Sequence, residues 1–115
     1  MTSPQSVPTV TADQVPVPVP EALVVLDVRE DDEWQAGHID GALHIPLSQL
    51  PARADEVGAA AQVLCVCKGG GRSARATMLL RQSGIEAVNL DGGMHGWAAA
   101  GHPMVSETNE PPSVL

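Results

Sequence analysis

The segment 67–73 joins a cysteine to three consecutive glycines and two cations in the order CKGGGRS. Glycines have no Cβ and adopt positive φ readily, so several backbone N–H groups of such a loop can turn inward and bind an anion. The thiolate is the reactive form of cysteine, and a helix N-terminus or a nearby cation lowers its pKa. We therefore predict that Cys67 is a nucleophile and that the loop stabilises its thiolate or its persulfide, Cys–S–S⁻.

The sequence contains two cysteines, Cys65 and Cys67, with one residue between them. On an extended strand this spacing does not favour a disulfide, which predicts reduced thiols in a cytoplasmic protein. Cys65 lies inside an apolar run and is interpreted as an inert core residue. Two thiols at this spacing without a matched histidine pair make a poor zinc site, so we expect no metal and no other cofactor.

The elements that must position this loop alternate between strand and helix. Short apolar runs, typical of buried parallel strands, occur at 23–26, 42–45, 63–66 and 87–90. Helical patterns occur at 31–36, 48–57, 73–82 and 94–100. This alternation predicts an α/β fold of parallel βαβ units with helices on both faces of the sheet. Ligands of such sheets bind beyond the carboxyl ends of the strands, which is where the cysteine loop falls.

The length and charge of the chain limit the classes of protein it can be. A chain of 115 residues is long enough for one domain and one core. A net charge of −8 argues against nucleic-acid and membrane partners, which are negatively charged. Four of the six basic residues nevertheless cluster without an acid between them, at Lys68, Arg72, Arg75 and Arg81. This cluster indicates a small anionic ligand, and the absence of an apolar heptad pattern favours a monomer.

The N-terminal region has neither a signal-peptide pattern nor an apolar run long enough to span a bilayer. Alternating Val and Pro from Val15 to Pro20 excludes a helix and a central strand, so this stretch is interpreted as an extended segment, with an edge strand as one form of it, along the domain. The polar, proline-bearing segment after Val105 is predicted to be loose. The aromatic residues, Trp34 and Trp97, are interpreted as core anchors.

Four segments, in the same order, resemble the signatures of the rhodanese sulfurtransferase family. They are LDVRE at 26–30 with Glu33-Trp34 after it, GHIDGALHIP at 37–46, CKGGGRS at 67–73 and DGGMHGW at 91–97. The resemblance is to a single-domain rhodanese and predicts one domain over residues 8–103, with flexible termini at 1–7 and 104–115. It implies a rhodanese-like α/β fold with a central, mainly parallel sheet of about five short strands. The proline-rich stretch departs from many relatives, which leaves the pairing of the N-terminal segment open.

The resemblance also implies a reaction and a set of site residues. Cys67 would accept a sulfane sulfur from an anionic donor such as thiosulfate and pass it to cyanide or a thiol, in a ping-pong reaction. A partner protein that delivers a persulfide is a further candidate donor. The residues that would surround the persulfide are Lys68, Gly69, Gly70, Gly71, Arg72 and Ser73. Asp27 and Arg29, at the end of the first predicted strand, would support the site or anchor neighbouring loops.

Other interpretations of the cysteine loop have to be weighed. Four residues separate Cys67 from Arg72, whereas tyrosine phosphatases and related rhodanese-like phosphatases have five. The shorter ring fits a sulfur atom better than a tetrahedral phosphate, so a phosphatase is disfavoured. A non-catalytic rhodanese-like module for interaction or regulation stays open as the alternative from a different class. A redox sensor would need a disulfide between Cys65 and Cys67, which strand geometry makes difficult.

Overall fold

The computed structural model describes residues 7–58 and 62–115. Within these residues five strands form one sheet, in which all neighbours are parallel. The strands are β1 (Thr9–Val10), β2 (Leu23–Asp27), β3 (Leu43–His44), β4 (Gln62–Val66) and β5 (Ala87–Leu90). Their spatial order is β1-β5-β4-β2-β3, which places β4 at the centre of the sheet. This architecture confirms the predicted α/β fold.

Four α-helices connect or cover the strands within the described residues. They are α1 (Asp31–Ala36), α2 (Leu50–Arg53), α3 (Gly71–Gln82) and α4 (Gly93–Ala99). Short 3₁₀ helices occupy Ala12–Gln14, Leu47–Gln49 and Ala54–Val57. In the part of the chain that the structure describes, no helix has the length and apolar character needed to cross a membrane.

Side chains of the central strand alternate between two hydrophobic clusters, as the period of a strand requires. Val63 and Cys65 of β4 belong to a cluster with Leu80 of α3, whereas Leu64 and Val66 belong to a cluster with α4. The four β4 side chains are fully buried, because helices cover both faces of the sheet. The carboxyl end of β4, which leads into Cys67, is therefore held rigidly between two packed layers.

The predicted elements differ from the observed ones in two places. The helix predicted at 48–57 is instead two 3₁₀ helices flanking the four-residue α2, because Pro51 has no N–H to continue a helical ladder from the preceding turn. The proline-rich stretch at 15–20 forms no strand, and the sheet edge is β1, which pairs Thr9 with Asn89 and Val10 with Leu90. Proline has no N–H to donate to the hydrogen-bond ladder of a sheet, so the edge strand forms at Thr9 and Val10, before the proline-rich stretch begins.

The C-terminal segment lies against the end of α1. Val105 exchanges two backbone hydrogen bonds of 2.8 Å with His38, and the N–H groups of Glu107 and Ser113 donate to the carbonyls of Gln35 and Ala36. These bonds satisfy carbonyls that the end of a helix leaves without partners. Residues 104–115 thus contact the domain, and their predicted flexibility in solution stays a prediction. Residues 1–6 of the other predicted flexible terminus lie outside the described residues.

We expect Gly37→Ala to detach the C-terminal segment. Gly37 has extended backbone (φ 174°) that any residue adopts, but an added Cβ would lie 2.5 Å from the carbonyl oxygen of Ser113 and 2.6 Å from Cε of Met104. Hydrogen exchange of the Glu107 and Ser113 amides should become roughly tenfold faster or more. Gly71→Ala is the control, since the backbone of Gly71 lies outside the left-handed region and its Cβ would meet no atom within 4 Å. Equal exchange rates in both variants would contradict the expected clash.

Candidate active site

Cys67 lies directly after β4 and directly before the turn into α3, with 1% of its surface exposed. Its Sγ accepts a hydrogen bond of 3.0 Å from the N–H of Gly70 and lies 3.2 Å from the hydroxyl oxygen of Ser73. Gly70 precedes α3 with a φ of 112°, a left-handed conformation that favours glycine. The structure thus brings the predicted nucleophile together with two of the residues predicted to surround it.

The environment of Cys67 affects its pKa in two opposing directions. Burial raises the pKa, while hydrogen bonds lower it; they come from the Ser73 hydroxyl and from the backbone N–H groups of Ser73, Gly70 and Gly69. The hydrogen bonds outweigh burial, so the pKa of Cys67 is lowered below its usual value. These donors lie in the loop and in the first turn of α3, which also contributes the positive end of its dipole.

The first turn of α4 holds the backbone of the cysteine loop. The N–H of Met94 donates to the carbonyl of Cys67 at 2.8 Å, and the N–H of His95 donates to the carbonyl of Lys68 at 3.1 Å. A trans peptide places its C=O and N–H on opposite sides. Because the Lys68 carbonyl faces α4, the N–H of Gly69 in the same peptide faces away from α4, toward the sulfur.

Asn89 links two residues of the site and was not predicted from the sequence. Its Nδ2 donates to the carbonyl of Gly70 at 3.2 Å, and its Oδ1 lies 2.5 Å from the hydroxyl oxygen of Ser73. Asn89 is a polar residue within the apolar run of β5, near the carboxyl end of a parallel strand. That position was the signal that could have identified it.

The guanidinium of Arg72 forms an ion pair with Glu33 of α1. Its Nη1 and Nη2 donate to the two carboxylate oxygens at 2.7 and 2.9 Å. The hydrogen bond from Arg72 lowers the pKa of Glu33 to about 2, against the opposing effect of burial. Arg72 therefore connects α1 to the start of α3. Glu33 neutralises much of the positive charge of Arg72, which was predicted from the sequence to act on an anionic ligand.

The remaining predicted loop residues form the rim of the site, defined here as Lys68, Gly69 and Gly71. Lys68 is half-buried, while Gly69 and Gly71 are exposed. An added Cβ on Gly69 or Gly71 would meet no atom within 4 Å. The loop is therefore open to solvent on this side, where a small molecule could approach the sulfur.

Asp27 and Arg29 form a buried ion pair near the site. Nε and Nη2 of Arg29 donate to the Asp27 carboxylate at 2.7 to 3.1 Å, and Nη2 also donates to the carbonyl of Gly37 at 2.7 Å. These contacts anchor the chain after α1 to the end of β2. Among the described residues, no hydrogen bond joins either side chain to the loop at 67–73, so their supporting role stays a prediction.

The second cysteine has the opposite environment. Cys65 is fully buried, and burial raises its pKa to about 11. Both cysteines are free thiols and project into the same hydrophobic cluster. A thiol with so high a pKa is a weak nucleophile at neutral pH, in agreement with its interpretation as a core residue.

Comparison with known proteins agrees with this geometry. The model of the rhodanese-like domain matches residues 12–100. An uncharacterised protein of Bacillus subtilis, YqhL, is 45% identical over 74 residues, which cover 64% of this chain and 59% of the relative. A sulfurtransferase of Allochromatium vinosum is 36% identical over 87 residues, covering 75% and 81% of the two chains. The crystal structure of a rhodanese-related protein from Thermoplasma volcanium superposes with a TM-score of 0.79 at 32% identity, covering 85% and 97%.

The fold, the loop and these matches define the class: the chain belongs to the rhodanese-like domain family. Sulfur transfer is the general function that this membership supports. The chain spans about half the length of the first curated relatives that it matches.

We expect Gly93→Ala to damage the site through the loop backbone. Gly93 has a φ of 54°, and an added Cβ would overlap the carbonyl oxygen of Cys67 and lie 2.6 Å from the carbonyl carbon of Lys68. Alkylation of Cys67 by iodoacetamide at pH 7 should slow roughly tenfold or more, because the amides no longer converge on the sulfur. Gly96→Ala in the same helix is the control, since its Cβ makes only an ordinary contact of 3.5 Å. An unchanged rate for Gly93→Ala would contradict the role given to α4.

The two cysteines should also differ in the pH dependence of alkylation. The alkylation rate of a free cysteine reaches half of its maximum at a pH of about 8.5. Cys67 should reach this midpoint at a lower pH, because hydrogen bonds to the thiolate lower its pKa. Cys65 should stay unmodified in the folded protein until the pH approaches 11. Peptide mapping after short pulses of iodoacetamide measures both. Alkylation of Cys65 at neutral pH, or of Cys67 only at alkaline pH, would contradict the assigned environments.

Proposed function

We propose that this chain transfers a sulfane sulfur from an anionic donor such as thiosulfate to a thiophilic acceptor, cyanide or a thiol, through a persulfide on Cys67. The observation that carries this proposal is the set of hydrogen bonds to Sγ of Cys67 from Gly70 and Ser73, at the open end of the sheet. A thiol stabilised as its anion beside an exposed rim is suited to nucleophilic catalysis.

The reaction consists of two displacements that balance without an oxidant. The Cys67 thiolate attacks the outer sulfur of thiosulfate, the S–S bond of the donor breaks, and sulfite leaves with the electron pair. The acceptor then attacks the outer sulfur of the persulfide, the new S–S bond breaks, and the Cys67 thiolate is regenerated. With cyanide the second product is thiocyanate. The donor product leaves before the acceptor reacts, which makes the kinetics ping-pong.

The loop contributes by stabilising negative charge before the reaction begins. Its amides converge on the position of the sulfur, so they need not reorganise as charge moves along the S–S bond. The protein as a whole carries a net charge of −8, which repels anions at long range. Lys68 on the rim supplies local positive charge for an anionic donor, whereas Glu33 neutralises much of the charge of Arg72. In this proposal Lys68 through Ser73 bind the substrate.

The size of the loop supports sulfur over phosphate as the transferred group. Its N–H donors approach a single atom, with Gly70 N–H 3.0 Å from Sγ. One sulfur added to Cys67 extends this site by one atom, whereas a tetrahedral phosphate needs room for three further oxygens. The Allochromatium relative is named a sulfurtransferase, which supports the same choice. We further propose that the chain acts as a cytoplasmic monomer and that a protein persulfide is an alternative donor.

The test is the intact mass of the reduced protein before and after incubation with thiosulfate, followed by peptide mapping. We expect a gain of one sulfur atom on Cys67, removed again by cyanide with release of thiocyanate. Cys67→Ser should abolish the gain and the turnover. Cys65→Ser is the matched control, and should retain most of the activity because that thiol is buried and protonated.

Different failures of this experiment have different meanings. Equal loss of sulfur transfer in Cys65→Ser and Cys67→Ser would contradict the assignment of Cys67 as the nucleophile. No gain of sulfur at a Cys67 that is still alkylated rapidly would exclude thiosulfate as a donor and leave a reactive thiol with another partner. No gain together with slow alkylation would favour the non-catalytic module.

A further inference from the structure

Cys67 and two buried polar side chains beside it, Ser73 and Asn89, have more hydrogen-bond acceptors than protons to donate to them. The hydroxyl oxygen of Ser73 lies between Sγ of Cys67, at 3.2 Å, and Oδ1 of Asn89, at 2.5 Å. All three residues are at most 6% exposed. A hydroxyl has one proton to donate, and an amide oxygen only accepts. The Ser73 hydroxyl can therefore donate to the sulfur or to Asn89, but not to both.

The orientation of the Asn89 amide is fixed from its other end. Nδ2 donates to the carbonyl of Gly70 at 3.2 Å, which leaves Oδ1 facing Ser73. The backbone of Asn89 cannot easily shift, because it pairs with Thr9 on one side and with Cys65 on the other. Asn89 thus presents an acceptor at a constant position while the hydroxyl beside it is free to rotate.

The protonation state of Cys67 decides where this hydroxyl points. When Cys67 is a thiol, S–H can donate to the Ser73 oxygen while the hydroxyl donates to Asn89, and every group has a partner. When Cys67 is a thiolate, Sγ of Cys67 and Oδ1 of Asn89 compete for the single hydroxyl proton of Ser73. A hydrogen bond to a charged acceptor is stronger than one to a neutral amide. The hydroxyl then turns to the sulfur, and among the described residues no other donor contacts Oδ1 of Asn89.

We propose that the Ser73 hydroxyl is a two-position donor and that Asn89 is the positioning residue that accepts it whenever the charge leaves Sγ of Cys67. The inference rests on the proposed function, since it assigns the hydroxyl a task in the persulfide cycle. In the persulfide the negative charge lies on the outer sulfur, and Sγ becomes a neutral, weakly accepting atom. The hydroxyl then donates to Asn89.

Rotation of the Ser73 hydroxyl from Asn89 back to Sγ of Cys67 favours transfer of the outer sulfur to the acceptor. When the acceptor attacks the outer sulfur, the S–S bond breaks and Sγ receives the electron pair. The Ser73 hydroxyl rotates from Asn89 to the new thiolate, so its hydrogen bond strengthens as the bond breaks. An interaction that is stronger in the transition state than in the ground state accelerates the step. No proton is transferred, because the hydroxyl only changes its acceptor.

A double-mutant titration separates this role from a structural one. Asn89→Leu removes the competing acceptor, so the hydroxyl donates only to the thiolate, and the midpoint of Cys67 alkylation should fall by about 0.5 to 1 pH unit. In a Ser73→Ala background the same substitution should give no fall. If Asn89 only held Gly70 in place, its loss would loosen the loop and raise the midpoint in both backgrounds. The other ionisable groups that act on Cys67, Arg72 and Cys65, are present in all variants.

A measurement on the unsubstituted protein covers the case in which Asn89→Leu does not fold. The ¹³C resonance of the Asn89 side-chain carbonyl should move upfield, as expected for a lost hydrogen bond, when pH rises through the Cys67 midpoint. It should return when thiosulfate converts the thiolate to the persulfide, and Ser73→Ala should abolish both changes. A resonance that does not follow Cys67 would overturn the inference. If no sulfur is added, the proposed function fails, while the titration by pH still decides whether the hydroxyl has two positions.

Discussion

Two backbone hydrogen bonds from the first turn of α4 determine which way the cysteine loop faces. They hold the carbonyls of Cys67 and Lys68 on the side of α4, and the planarity of the peptide then sends the N–H of Gly69 to the other side. If these carbonyls pointed inward, the same glycines would present oxygen atoms to the sulfur and repel its negative charge. The sequence requirement for this arrangement is small: one glycine, Gly93, has to leave room for the loop backbone.

The sheet order makes this arrangement possible. Because β4 and β5 are neighbours and parallel, the helices that follow them begin at the same edge of the sheet. The two helix N-termini then perform different tasks. The first turn of α3 directs amides at the sulfur, while the first turn of α4 binds the carbonyls of the loop. The pair Arg72–Glu33 adds a third restraint from α1.

Whether a feature could be predicted from the sequence depends on how far apart along the chain its interacting residues lie. The strands β2 to β5, the long helix α3 and the burial of Cys65 depend on local patterns of apolar residues and glycines, and the structure contains them. The edge strand β1 has no such pattern and was not predicted. The pairing of Arg72 with Glu33 joins residues 39 positions apart, and the contacts of Asn89 cross from one strand to another loop, so no local pattern contains them. Trp34, interpreted as a core anchor, is only half-buried and stacks between His38 and His44, with ring centroids at 3.5 and 4.8 Å. His38 lies only four positions along the chain, whereas His44 comes from β3, which the sequence did not place beside α1.

The burial of Cys65 bears on how long the persulfide proposed on Cys67 would persist. A persulfide is attacked most readily by a neighbouring thiolate, which would form a disulfide and expel the stored sulfur as hydrosulfide. Cys65 is two residues away in the same hydrophobic cluster, but burial raises its pKa to about 11, so the thiol is almost entirely protonated at pH 7. In the proposed persulfide cycle, self-discharge through Cys65 would therefore be slow, and the acceptors that the protein meets would set the lifetime of its loaded form.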